Sequence, residues 1–209
     1  MKSVKKAANL LFHKYKSQLI FADIIISIII FILIGIFKPD YVIIAAFFLI
    51  MPYLILTQRK LLLKQLFLAF ILSLTWVFLA KSYYGYNQTF ATILGINLYP
   101  LFAWATSLFL IYVLVSHYEH LIKKINYIKQ LLFFIIFYWP LLIAGETIAY
   151  HLFNIHNVAT AVYSGLPICN CIHAPIWMQT VYFLMGPIYL TLLYLLKLKN
   201  PHLKKSKTS

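Results

Sequence analysis

Residues 19–56 read LIFADIIISIIIFILIGIF, then KPD, then YVIIAAFFLIMPYLIL. Two almost wholly apolar runs flank a three-residue turn, and this pair decides the fold. A helix crosses the hydrocarbon of a bilayer with about 20 mostly apolar residues, because backbone N–H and C=O groups in lipid must pair within their own segment. The first run meets that length and the second nearly does, so the stretch reads as a helical hairpin tipped by Lys38-Pro39-Asp40. Four further runs lie at 61–80, 99–115, 131–150 and 176–196, which with 19–37 and 41–56 make six expected spans. The runs at 41–56 and 99–115 are short, and draw on flanking residues or thin the bilayer locally. Period-2 alternation, the mark of a membrane barrel, is absent. The expected fold class is therefore an all-α integral membrane protein, one domain of six transmembrane helices in the cell membrane.

Composition agrees. Of 209 residues, 63% are hydrophobic and 11% charged, with a mean hydropathy of +0.87. A soluble domain of this size needs far more charge to cover its surface. The formal net charge of +14 does not point to nucleic acid, because the basic residues sit between apolar runs. There they act as orientation signals and as contacts for anionic membrane lipid. The basic N-terminus resembles a signal peptide in charge, but its apolar run is too long and no small-residue cleavage site follows, so an uncleaved first helix is expected.

With the N-terminus placed in the cytoplasm, the inner segments hold Lys2, Lys5, Lys6, Lys14 and Lys16, then Arg59, Lys60 and Lys64, then Lys123, Lys124 and Lys129, then Lys197, Lys199, Lys204, Lys205 and Lys207. That is 16 of the 18 basic residues, with Lys38 and Lys81 outside. Both termini are thus expected in the cytoplasm, and five or seven helices would put a basic end outside. The connection around 117–129 reads as a short interfacial helix.

The outer connections carry the features that bear on function. Lys81–Leu98 is aromatic, amide-bearing and nearly uncharged, and His151–Pro175 contains no Lys, Arg, Asp or Glu. A charge-free segment of that length is expected to dip toward the membrane and pack over the bundle. Gly95-Ile96-Asn97-Leu98-Tyr99-Pro100 ahead of Trp104 echoes Gly165-Leu166-Pro167-Ile168 ahead of Pro175 and Trp177, which favours an internal hairpin repeat.

Chemistry-bearing residues are few. Asp40 reads as a turn former and Glu119 as an ion-pair partner among cytoplasmic lysines. Asp23, about one turn into the first helix, needs a neighbouring hydroxyl or a lysine reaching back. Glu146 stands apart. An ionisable group at its depth costs several kcal/mol unless it is paired, hydrated or protonated, and a protonated carboxyl is what a general acid needs. The alternative is a helix-to-helix hydrogen bond. His151, His156 and His173 follow it as candidates to orient substrate or relay protons. Cys169-x-Cys171-x-His173, joined by His151 or His156, offers soft ligands for copper(I) or zinc. A disulfide, a nucleophilic thiol and simple packing are the other readings of the cysteines. Phosphate loops, nucleophile elbows, His-Glu-x-x-His and paired-aspartate motifs are absent. The aromatic load suits interface belts and lipid-facing Phe, or a pocket that stabilises carbocations by cation–π contact.

At Gly165-Leu166-Pro167 with Trp177, and again at Gly95–Trp104, the chain resembles the membrane-embedded lycopene cyclase domain family and related carotenoid-modifying proteins. The resemblance implies repeated helices and an isoprenoid substrate, held in the bilayer and protonated by a carboxylic acid. It covers about a third of the chain. The acidic residues that follow the loop proline in that family are replaced here by Asn97-Leu98-Tyr99 and Ile168-Cys169-Asn170, which leaves Glu146 as the acid. Three functions follow. The first is an enzyme acting on an apolar, isoprenoid-like lipid through Glu146. The second is a small transporter or metal-handling protein using the Cys/His cluster. The third is a non-catalytic membrane subunit.

Overall fold

The computed structural model describes residues 16–122, 126–198 and 200–202. It contains six helices long and apolar enough to cross a membrane: α1 (Lys16–Ile36), α2 (Pro39–Leu56), α3 (Leu61–Leu79), α4 (Leu98–Ser116), α5 (Tyr127–His151) and α6 (Ile176–Leu195). Residues 1–15 and the lysines at 123, 124, 199, 204, 205 and 207 lie outside the described residues. Helix α5 begins four residues before its expected start. Asn126 caps it there, its side chain accepting the Lys129 N–H at 2.9 Å, so a polar first turn read as connection is helical. Pro39 occupies the first turn of α2 and Asn97 caps α4, each where an amide would otherwise lack a partner. The expected interfacial helix before α5 is a single 3-10 turn over Glu119–Leu121.

Helix α4 is the hub. It packs against each of the other five helices, and 67% of its span is buried, against 11% for α1 and 17% for α5. Helices of this hydropathy associate through close packing, which small residues at the contacts permit. Ala69 and Ala105 are fully buried. Gly186 of α6 lies under the Tyr138 ring of α5, where an added Cβ would come within 2.5 Å of ring carbons. Tyr138 also donates to the Tyr182 carbonyl at 2.6 Å. Pro187, lacking an N–H, leaves the carbonyl four residues earlier without its helical donor; the Trp139 indole supplies one, at 3.1 Å from the Phe183 oxygen.

At one end of the bundle, the connections 80–97 and 152–175 are stitched together by neutral groups. Asn87 N–H donates to the His156 carbonyl and its Oδ1 accepts the His156 N–H, both at 2.9 Å. Asn157 gives Nδ2 to the Tyr83 carbonyl at 2.7 Å and accepts the Gly85 N–H at 3.1 Å. Ile155, Thr160, Cys171 and Ile172 of the charge-free connection are buried, so it packs over the bundle as expected. Asp40 does more than form a turn: it is fully buried and accepts the Ala91 N–H at 2.9 Å, pinning the 80–97 connection to the first hairpin. The two echoing segments differ. Residues 92–97 form a two-stranded antiparallel hairpin, β1 (Thr92–Ile93) with β2 (Ile96–Asn97), turning through Leu94 and Gly95 at positive φ. Residues 165–172 form a loop closed on itself, with Leu166 N–H donating to the Cys171 carbonyl.

Candidate functional site at the loop end of the bundle

Beneath the stitched connections lies a cavity of about 120 Å³, walled by α4, α5, α6 and both connections. Glu146 reaches it from α5, five residues before that helix ends at His151. Among the described residues Glu146 is the one acid on the wall, no lysine or arginine joins it, and no side chain or backbone group hydrogen-bonds its carboxyl. The rest of the wall is largely aromatic: Tyr84 and Tyr86 from the first connection, Tyr99 and Trp104 from α4, Tyr150 from α5 and Tyr182 from α6.

These rings are held rigidly. The Tyr84 hydroxyl receives the indole N–H of Trp76 at 2.7 Å and that of Trp104 at 3.1 Å, and lies 3.2 Å from the Tyr182 hydroxyl. The Tyr182 hydroxyl donates to it as well, so Tyr84 is the acceptor at the centre of this cluster and its own proton is not used within it. Burial, with the nearby Glu146 carboxylate adding to it, pushes the Tyr84 and Tyr86 hydroxyls well above the usual phenol range. Both hydroxyls therefore stay neutral. Tyr86 stands edge-on to Tyr99 at 5.2 Å, and Phe90 packs on both rings.

Of the histidines, His173 lines the cavity beside Glu146, whereas His151 and His156 do not. The three gather around Tyr150 instead: His156 and His173 stack near its ring at 4.1 and 5.0 Å, and His151 meets it edge-on at 5.0 Å. Each is tied to backbone carbonyls. His151 Nε2 lies 2.8 Å from the Cys169 oxygen and His156 Nε2 lies 2.9 Å from the Tyr150 oxygen. His173 commits both ring nitrogens, to Tyr163 and Asn170. They therefore brace the loop, and the relay expected of them toward Glu146 is not assembled. The metal reading also changes. Cys169 and Cys171 are joined in a disulfide, so neither offers a thiolate beside His173. Among the described residues no three His, Cys, Asp or Glu side chains come together to hold a metal ion.

A second polar cluster lies at the opposite end. Asp23 accepts from Arg59 at 2.6 and 2.9 Å, from the Tyr53 hydroxyl at 2.7 Å and from His117 Nε2 at 2.7 Å. The hydroxyl expected for Asp23 is thus Tyr53, but its cation is an arginine from the next connection rather than a lysine. Burial opposes charge on Arg59, yet Asp23 outweighs it and holds the guanidinium above its ordinary pKa. His117 stacks on His202 at 3.7 Å. Glu119 is buried and accepts from the amides of Gln130 and Asn200, each at 2.7 Å; Lys123 and Lys124, the lysines expected near it, lie outside the described residues. Burial raises the Glu119 carboxyl above the ordinary range, against the pull of those two amides. This cluster clamps residues 200–202 to α4 through Ser116, and the loop end, with its walled cavity, is the candidate site. No family model, no curated protein and no solved structure matches the chain.

Proposed function

We propose that the chain is an integral membrane protein with both termini in the cytoplasm, and that its loop-end cavity binds the reacting end of an apolar, isoprenoid-like lipid with Glu146 as acid and base. Six membrane-length apolar helices support the first part, and the placement of 16 of 18 basic residues on one side supports the orientation. The observation that carries the second part is the Glu146 carboxyl, held in an aromatic cavity with no partner from the described residues. A carboxyl so placed is free to exchange its proton with a basic or acidic group brought within hydrogen-bond reach, which general acid–base catalysis requires. A cavity of about 150 Å³ holds a molecule of benzene's size, so the 120 Å³ here accepts one end of a lipid while its tail stays in the bilayer. The isoprenoid character rests on the resemblance at Gly95–Trp104 and Gly165–Trp177. Reporter fusions at the two ends test the orientation, and an extracellular signal from either overturns it. Lipid extracts from cells with the gene, without it, and with Glu146→Gln test the activity. The expected result is one lipid species that the deletion and the variant alter alike; an unchanged profile in both removes the enzymatic reading.

A further inference from the structure

We infer that the loop-end cavity selects a small organic ammonium group, with Glu146 as its counter-charge and the Tyr84, Tyr86, Tyr99, Trp104 and Tyr182 rings as its cage. The inference rests on the same Glu146 cavity as the proposed function and adds the charge of the group that enters.

Three observations converge. First, the wall carries one carboxyl and no lysine or arginine among the described residues, and a carboxylate drawn away from bulk water needs a proton or a cation. His173, the one histidine on the wall, turns both ring nitrogens to the Tyr163 and Asn170 carbonyls and not to Glu146. Second, tyrosine and tryptophan rings attract a cation that lies against their faces, most of all when it is desolvated. The rings here are fixed before any ligand arrives, since Tyr84 is locked by two indoles and Tyr86 is packed against Tyr99 and Phe90. The cage therefore has little ordering cost to meet on binding. Third, the donor set is wrong for a bare metal ion: no group of three His, Cys, Asp or Glu is present among the described residues, and His173 spends both ring nitrogens on carbonyls. A soft, weakly hydrated cation, such as a trimethylammonium group, matches both the size of the cavity and its walls.

The test uses the full chain in nanodiscs of phosphatidylglycerol, titrated with choline at constant ionic strength and read by tryptophan fluorescence, since Trp104 lines the cavity. Choline should bind saturably. Its neutral isostere 3,3-dimethylbutan-1-ol should bind at least tenfold more weakly, and sodium chloride should not compete. Glu146→Gln should lose about tenfold or more in choline affinity while Glu146→Asp retains most of it. Should Glu146→Gln fail to fold, the comparison of choline with its isostere on the wild type decides alone. Equal binding of the two, or no saturable binding of choline, overturns the inference. Repeating the titration in phosphatidylcholine nanodiscs separates the sources. Weaker apparent choline binding there assigns the site to a lipid headgroup, and unchanged binding assigns it to a free ammonium compound. Choline selectivity with an unaltered lipid profile would keep this inference and remove the enzymatic reading. A profile altered by Glu146→Gln, without charge selectivity, would do the reverse.

Discussion

Replacing Asp23 with asparagine keeps its shape and removes its charge, which isolates the contribution of the ion pair. In the wild type the carboxylate accepts two bonds from Arg59, one from Tyr53 and one from His117, and Arg59 is only 1% exposed. After the substitution the guanidinium keeps its 3.0 Å bond to the Thr57 hydroxyl and faces a neutral amide elsewhere. Breaking a buried pair by removing one partner costs about 3–5 kcal/mol, because the other charge stays buried without compensation. In a chain of this size that lowers the melting temperature by about 6–20 °C. The assay is fluorescence-detected gel filtration of detergent-solubilised protein after stepwise heating. The companion variant, Asp23→Leu with Arg59→Met, replaces both charges by apolar groups and should recover most of the loss, since a buried pair is often no more stabilising than its hydrophobic substitute. A shift below about 2 °C for Asp23→Asn would refute the reasoning and show that water reaches the pair. A double variant no better than the single one would refute it equally.

Gly186→Ala forces the Tyr138 ring to move, and should cost about 1–3 kcal/mol, visible as a fall of several degrees in the same assay with the oligomeric state unchanged. Glu119 has a folded-state pKa raised above its ordinary 4.5, so its contribution is present below that value and is lost as pH rises through the raised one. Glu119→Gln should therefore be flat over the range where the wild type weakens, and should be the more stable of the two on the alkaline side; parallel pH profiles would count against a buried carboxyl. The disulfide closes a loop of three residues, and the loop-closure relation gives it about 1.5 kcal/mol. The unreduced, unfolded protein should take up no maleimide, and Cys169→Ser with Cys171→Ser should lower stability by about that amount while leaving the helices intact.

The six long helices were legible because a run such as LIFADIIISIIIFILIGIF has the length and the composition that crossing a bilayer requires. The start of α5 was not, because Lys129 and Gln130 interrupt the apolar run, and the first turn is capped by Asn126. Glu146 and the packing of the last connection were readable from what the sequence withholds, namely charge. The aromatic wall was hidden, because tyrosines in KSYYGYNQTF suit a membrane interface just as well. The Asp23 cluster was invisible for another reason: Arg59 and His117 lie 36 and 94 residues away, and no local spacing signals a contact set by the packing of α1, α4 and the connection after α2. The cysteines were ambiguous in principle, since Cys-x-Cys suits a metal, a disulfide or a core, and only the fold brought the sulfurs to each other.

The stitching of residues 83–87 to 154–159 has a consequence for how the protein is made. Its partners are separated by about 70 positions in the chain, and the far wall of the cavity comes from Tyr182, so the first four helices can form and pack while the cavity still lacks its lid and one side. Glu146 itself arrives only with the fifth helix. During synthesis the carboxyl is therefore released into an open cleft, and it becomes enclosed only when the last helix docks. A ribosome stalled before that point leaves a bundle with a sound core and no pocket, and two co-expressed halves cut within the 117–126 connection would recover the pocket only by finding each other.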